Sequence, residues 1–527
     1  MRRSAPWLLL ALGAALRFGL YLSRPSLSID ETMTSLEIGG RSFGGLLHIL
    51  SYAQTAPPLF LWAVKLSTVI GGVNEYALRA VPLLLGLLVP LSVWRVAQRL
   101  LPEPAALAAL LIAAVTPTLI EYSLTVKPYV GDAFFALAIA QAALAVLDRP
   151  DASGSWWRLA GLGTMAVLWS TPAPFYLAGV GVALVRLPQV RWRLALCAAL
   201  WVMIFVPVYV FLFRPVAVSA YMQQFWAMSF FSPITAHGWR HLGVALLQSL
   251  DARPAPLPAV LVVMLLLAFG GWMWWRTGKQ AALLFGVPGL ALLAASTMHR
   301  YPLSGRVLIF LTPTLILCLA AAVARAAAWR GAAGWALALA CAVLLLGIDV
   351  THPYRTPATR AAIARLRQQL GPGEPVYVAS GAAAAWGFYT MDWRHPDTLV
   401  LQQLARTVGV PGSSAFHNSA SRGVPVGATE GAELLLRREG RPELLGLAPG
   451  IQWRDAVGFA GTVRADSGWA GRESDRIRAA ASPTIWLLVA NPAPTTVAAL
   501  TGALAHAGGA ADTSYVSGGV RVVRYRF

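Results

Sequence analysis

Leu27-Ser28-Ile29-Asp30-Glu31-Thr32-Met33 sets two adjacent carboxylates just beyond the first long apolar run of the chain. Acidic side chains are costly near a bilayer and need a partner or a task. Two readings fit the stretch. Ser28-Ile29-Asp30-Glu31 has the S-x-x-E spacing of a capping box, in which the acids start a helix. Alternatively, Asp30 faces the outer aqueous side of a membrane and works as a catalytic base. The remainder of the chain weighs between them.

The composition is that of a membrane protein. Of the 527 residues, 57% are hydrophobic and only 12% charged. Soluble proteins carry about 25% charged residues. The mean hydropathy is +0.60, and several apolar runs reach spanning length. The net charge of +19 does not signal nucleic acid. The arginines are scattered at helix ends and through the C-terminal part, as the orientation rule for membrane helices expects. Cys197, Cys318 and Cys341 all lie in apolar runs and suit neither a disulfide framework nor a metal cluster. Arg2 and Arg3 precede a run that Arg17 interrupts, which reads as a retained first helix rather than a cleaved signal.

Hydropathy and Lys/Arg placement predict about eleven spans. They fall near residues 5–22, 80–96, 105–122, 130–147, 159–169, 175–185, 194–213, 257–275, 281–295, 307–323 and 335–348. The two apolar stretches between the first pair, 33–50 and 59–70, read as interfacial helices. His237 and His241 have ligand-like spacing but no third partner, so no metal site is expected. From about residue 351 the composition becomes that of a soluble α/β domain. It offers a helix over 358–370, strands at 376–379 and 485–490, a helix over 495–506 and a hairpin over 515–525, with a loop at 408–431. The expected domains are therefore 1–350, in the membrane, and 351–527, outside it. The N-terminus is expected in the cytoplasm.

Arg79, Lys127, Arg300 and Arg306 sit at or beside outer helix ends in this topology, where basic residues are disfavoured. Each alone fits a snorkelling anchor. Together they make a site for an anion, with Tyr129 and His299 as added donors. A carboxylate and phosphate-binding cations on one outer face suit a lipid phosphate carrying a sugar. Phosphate leaves well when cations neutralise its developing charge. The acceptor, a hydroxyl or amine, needs a base, which a carboxylate supplies.

The chain resembles the membrane-embedded C-type glycosyltransferases, near the protein O-mannosyltransferases and the bacterial aminoarabinose transferase of lipid A. Asp30-Glu31 matches the family's first-loop acidic motif. Thr55-Ala56-Pro57-Pro58-Leu59, Glu75-Tyr76-Ala77-Leu78-Arg79, Tyr122-Ser123, Lys127-Pro128-Tyr129, Tyr301-Pro302 and Arg306 follow in the family's order over residues 1–350. Ala56 stands where the family often has His, and Thr125 where it often has Glu, which leaves sugar and acceptor open. The resemblance implies a polyprenyl-phosphate sugar donor, Asp30 as base with Glu31 beside it, and Lys127 and Arg306 near the donor phosphate. It implies a glycan, lipid or protein acceptor at the outer face of a bacterial cytoplasmic membrane. No cofactor is expected, although a divalent cation at Asp30 and Glu31 is conceivable. The rival reading is a lipid or solute transporter, which tends to show internal repeats and midplane polar groups.

Overall fold

A computed structural model describes residues 4–52, 54–250, 257–329, 331–332, 334–336, 338–340, 358–371, 374, 376–378, 380–396, 401, 444–445, 469–481, 483–490 and 494–527. The expected helix at 335–348 lies partly outside these residues, and the expected loop at 408–431 wholly so. Six described helices are long and apolar enough to cross a membrane, and three shorter apolar helices accompany them.

The first nine helices of a turn and a half or more carry the site. They are α1 (Ala5–Leu22), α2 (Ile29–Gly40), α3 (Pro58–Gly71), α4 (Glu75–Leu100), α5 (Glu103–Val115), α6 (Pro117–Tyr122), α7 (Tyr129–Asp148), α8 (Ser153–Trp169) and α9 (Ala173–Leu184). Asn74 caps α4 by accepting from the Tyr76 and Ala77 N–H groups at 3.0 and 3.1 Å. Helix α2 buries Glu31 through Ile38. The C-terminal helix Ser380–Thr390 packs along it. Helix α3 buries Phe60, Leu61 and Val64 and leaves Leu66, Val69 and Ile70 exposed, an apolar outer face suited to lipid.

The single helix expected over 105–122 is broken. Pro117 has no N–H, and the residue before a proline is pushed out of the helical region. Thr116 accordingly sits at φ −62°, ψ 116°. In an unbroken helix the Ala113 carbonyl would accept from residue 117. Arg17, fully buried in α1, supplies the missing donors. Its guanidinium reaches the carbonyls of Ala114 at 3.0 Å and Ala113 at 3.4 Å, and the Ser123 hydroxyl at 3.2 Å. The arginine that interrupts the first apolar run thus closes a break in the third. Unsatisfied backbone groups are not tolerated in hydrocarbon.

Beyond α9, the chain continues through Arg191–Val208, Ala236–Leu250, Leu257–Thr277, Lys279–Thr297 and Thr312–Trp329. A 3-10 segment, Gly305–Leu311, leads into the last of these and carries Arg306 at its start. The C-terminal part forms a five-stranded sheet of order β2-β1-β3-β5-β4. Its strands are β1 (Val376–Val378), β2 (Leu444–Leu445), β3 (Thr484–Ala490), β4 (Ala510–Ser517) and β5 (Val520–Arg526). Strand β1 pairs in parallel with β2 and β3, whereas β5 pairs antiparallel with β3 and β4. The expected hairpin is β4–β5. Gly518 and Gly519 take φ of 50° and 77° at its tip, which a tight turn matched to strand twist requires. Glu374 ties the sheet together. Burial pushes its carboxyl up, but Gly371 N–H, Trp486, Thr484 and Arg524 outweigh that and hold it down to about 2.

Replacing Arg17 with methionine is expected to keep the hydrophobic fit but orphan the Ala113 and Ala114 carbonyls. The cost is about 1–3 kcal/mol for each. Thermal unfolding of the detergent-purified protein checks this. Arg17→Met should melt well below wild type, and Arg17→Lys, which keeps one donor group, should fall between.

Candidate active site

The two acids of the opening stretch part company in the structure. Ser28 caps α2, and its hydroxyl accepts the Glu31 N–H at 3.4 Å while Glu31 accepts the Ser28 N–H at 2.9 Å. The capping box is therefore real, and Glu31 completes it. Glu31 is fully buried and also holds Arg79, whose Nε and Nη2 approach its Oε1 at 3.1 and 3.0 Å. It accepts in addition the Val126 N–H at 3.1 Å. Arg79 spends further donors on the Pro25 carbonyl at 2.6 Å and the Ser26 carbonyl at 3.3 Å. Both residues lie in the frame beneath the site. Asp30 takes no part in the cap, so the two sequence readings describe different residues of one motif.

The Asp30 side chain is 37% exposed and pairs with Arg306 at 2.9 Å. Arg306 lies with its guanidinium 5.5 Å from the Trp226 ring centre. Lys127, almost wholly buried, donates to the Thr34 hydroxyl at 2.9 Å and to Gln54 Oε1. Tyr122 and Tyr129 stack edge to face at 5.4 Å and lie within electrostatic reach of both Asp30 and Arg306. Four segments meet here. They are the start of α2, the segment bearing Gln54, the turn 123–128 between α6 and α7, and the start of the 3-10 segment.

Electrostatics separate the two charge types. Burial alone would raise the Asp30 carboxyl, but Lys127 and Arg306 outweigh it and hold it below the usual carboxylate range. Burial lowers Lys127 to about 8, partly offset by Asp30. At neutral pH the cluster thus combines one ionised carboxylate with two cations. The surplus positive charge suits an anion, and the carboxylate is in the form that accepts a proton.

Other expected residues fall elsewhere. His299 and Arg300 occupy an exposed turn, with His299 at φ 56° and its ring 4.7 Å from Phe230. No described contact joins them to the Asp30 cluster. His241 Nε2 lies 2.8 Å from the Leu303 carbonyl oxygen. Among the described residues no group of three or more His, Cys, Asp or Glu side chains gathers as a metal site. Asp132 does not cap α7. It is buried beside Ser170, and its Oδ1 lacks a partner.

Sequence reasoning missed Thr34, Gln54 and the contact of Trp226 with Arg306. Thr34 had a signal, since it lies four residues after Asp30 on one face of α2. Gln54 had none beyond its nearness to Pro57-Pro58.

The geometry separates the acids experimentally. Glu31→Ala removes the carboxylate that compensates the buried Arg79 charge and should cost about 3–5 kcal/mol. Asp30→Asn breaks a part-exposed pair and should change stability by no more than about 1 kcal/mol. Melting curves in detergent distinguish these outcomes. Equal losses would contradict the division of labour.

Residues 55–211 match the family model of dolichyl-phosphate-mannose-protein mannosyltransferases. No curated protein matches the chain by sequence. Two crystal structures of ArnT from Cupriavidus metallidurans, one apo and one bound to undecaprenyl phosphate, each superpose with a TM-score of 0.52 at 15% identity, over 98% of this chain and 97% of theirs. A more distant overlap, too weak to carry an argument, is with the oligosaccharyltransferase of Archaeoglobus fulgidus in complex with Zn and sulfate. Its TM-score is 0.45 at 14% identity, over 72% of this chain and 61% of that one. The chain therefore has an ArnT-like fold, and its residues 55–211 match the protein mannosyltransferase family model.

Proposed function

We propose that the protein transfers a sugar, with inversion, from a polyprenyl-phosphate-linked donor to an acceptor at the outer face of the cytoplasmic membrane. The acceptor is a cell-envelope glycan, a lipid or a protein. The observation that carries this reading is the gathering of Asp30, its ion-pair partner Arg306 and a second cation, Lys127, at the ends of apolar helices. Undecaprenyl phosphate bound to an ArnT of the same fold supports a lipid-phosphate donor. The family-model match supports sugar transfer. Residues 1–350 form the membrane part in this reading, and 351–527 the extracytoplasmic part.

The chemistry follows from the charges. Asp30 accepts the proton of an acceptor hydroxyl or amine as that atom attacks the anomeric carbon. The bond from that carbon to the phosphate oxygen breaks on the opposite face, and its electron pair stays on the phosphate. Lys127 and Arg306 stabilise the charge that develops there. The leaving phosphate needs no proton, so a second carboxylate acting as an acid is unnecessary. Arg306 links the two halves of the reaction, because it touches the base and is also a planar donor suited to phosphate. Tyr129 and Tyr122 flank the same cluster, and Glu31 and Arg79 act by holding α2 in place.

Sugar transfer from a panel of radiolabelled polyprenyl-phosphate sugars, assayed with purified protein, tests the reading. Asp30→Asn should lose about 10²–10⁴ in rate, the usual worth of a positioned base. Asp30 is competent above its depressed value, so the acid limb of the pH profile should lie below the range of an ordinary aspartate. Lys127 carries charge below about 8, so the alkaline limb should fall near pH 8. Lys127→Arg should move that limb upward. Full transfer by Asp30→Asn would sink the assignment of the base.

A further inference from the structure

Among the described residues, the hydrogen-bond partners of the Lys127 ammonium are the Thr34 hydroxyl and the Gln54 carbonyl oxygen, both neutral. Yet Asp30 lies close enough to exert one of the main electrostatic effects on Lys127. A lysine near a carboxylate in a sheltered pocket ordinarily pairs with it directly, because their attraction grows as the surroundings become less polar. Here an amide and a hydroxyl hold the ammonium instead. A lysine can only donate, so the oxygen of Gln54 must face it. The Gln54 nitrogen is then left for acceptors. It reaches the Tyr52 carbonyl at 3.3 Å and the Met33 sulfur at 3.8 Å.

The segment that presents this amide is built under constraint. Tyr52, buried, sits at φ 59°, a left-handed conformation that bulky residues rarely adopt. Such strain persists only where the surroundings over-determine it. They do so here. Glu37 of α2 accepts the Ser51 N–H at 3.2 Å, and Arg41 holds Glu37 at 2.6 Å and the Ser51 hydroxyl at 3.1 Å. The Gln54 N–H returns to the Ser51 carbonyl at 3.2 Å. Helix α2 therefore carries Asp30 at its start and anchors, from its end, the turn that carries Gln54.

We propose that Gln54 is a positioning residue that insulates the base from the phosphate cation. Its oxygen holds Lys127, and its nitrogen is tied to the Tyr52 carbonyl. The ammonium is thereby kept out of a direct ion pair and retains its charge for the donor phosphate, while the carboxylate keeps its lone pairs for the acceptor proton. This rests on the proposed sugar transfer. It explains how Lys127 stays clear of the base while Arg306 pairs with it. The groups facing Lys127 are Asp30, Glu31 and Arg306. Those facing Asp30 are Lys127 and Arg306, with the phenols of Tyr122 and Tyr129 beside it.

The test compares wild type, Gln54→Glu and Gln54→Ala as purified full-length protein. Three quantities are read: melting temperature, binding of undecaprenyl phosphate in detergent micelles, and the pH profile of sugar transfer. Gln54→Glu is close to isosteric but sets an anion against both groups. It should weaken undecaprenyl phosphate binding by about tenfold or more, as expected for loss of one charge-assisted contact. It should also move both limbs of the pH profile upward, since an added anion raises both groups. Gln54→Ala lets Lys127 close on Asp30, so donor KM should rise and the acid limb should move down. A Gln54→Glu protein that binds undecaprenyl phosphate like wild type, with unshifted limbs, would overturn the inference. So would a variant that merely melts earlier, with limbs unshifted. If wild type itself neither binds undecaprenyl phosphate nor transfers sugar, the proposed function falls first and the inference with it. If wild type does both and the variants copy it, the role of Gln54 alone is refuted.

Discussion

The buried pair of Glu31 and Arg79 is the constraint on which the site depends. Each alone would be an uncompensated charge shut away from water, at prohibitive cost. Together they join three pieces of chain. Glu31 belongs to α2, Arg79 to α4, and the Val126 N–H that Glu31 accepts belongs to the turn carrying Lys127. Arg79 adds the carbonyls of Pro25 and Ser26, which lead into α2. One ion pair therefore sets the position of Asp30 relative to Lys127. It does so without touching either side chain, which leaves them to the pocket.

A second buried charge secures the same turn from the membrane side. Arg17 saturates the carbonyls exposed by the break at Pro117 and bonds Ser123, at the end of α6. The break has a consequence for the site. It lets the chain stop short of a full straight span and turn toward α2, carrying Tyr122 and Lys127. A straight helix through residue 122 would have satisfied its own backbone and needed no arginine. The apparent blemish in the first apolar run and the proline in the third are thus two halves of one device, linked by the requirement that backbone groups in lipid be paired.

The C-terminal part closes over this arrangement. Arg360 pairs with Glu75 at 2.7 Å and donates to the Arg24 carbonyl at 2.9 Å, and the Leu27 N–H donates to the Tyr389 hydroxyl at 2.8 Å. The last two bonds fall on residues 24–27, the segment that delivers Asp30. The C-terminal part is therefore packed against the segment leading to Asp30 as well as along α2.

The sequence alone settled what depends on neighbours along the chain. Apolar runs marked the spans, Ser28 and Glu31 marked a cap, and Gly518-Gly519 marked a hairpin, because each follows from a local period or a local conformational need. Asp30, Lys127 and Arg306 were legible as candidates, since charges at helix ends are conspicuous in an apolar chain. Their sorting was not legible. Asp30 and Glu31 look alike in sequence, yet one faces the pocket and the other is locked in the frame. Arg79, Arg300 and Arg306 look alike too, and only Arg306 meets Asp30. Gln54 gave no sign at all, being an ordinary polar residue near two prolines. These differences arise from contacts between residues far apart in the chain: 48 positions for Glu31 and Arg79, 73 for Gln54 and Lys127, 276 for Asp30 and Arg306. A charge or amide in a sheltered site takes its role from the partner that compensates it, and the choice of partner belongs to the tertiary structure.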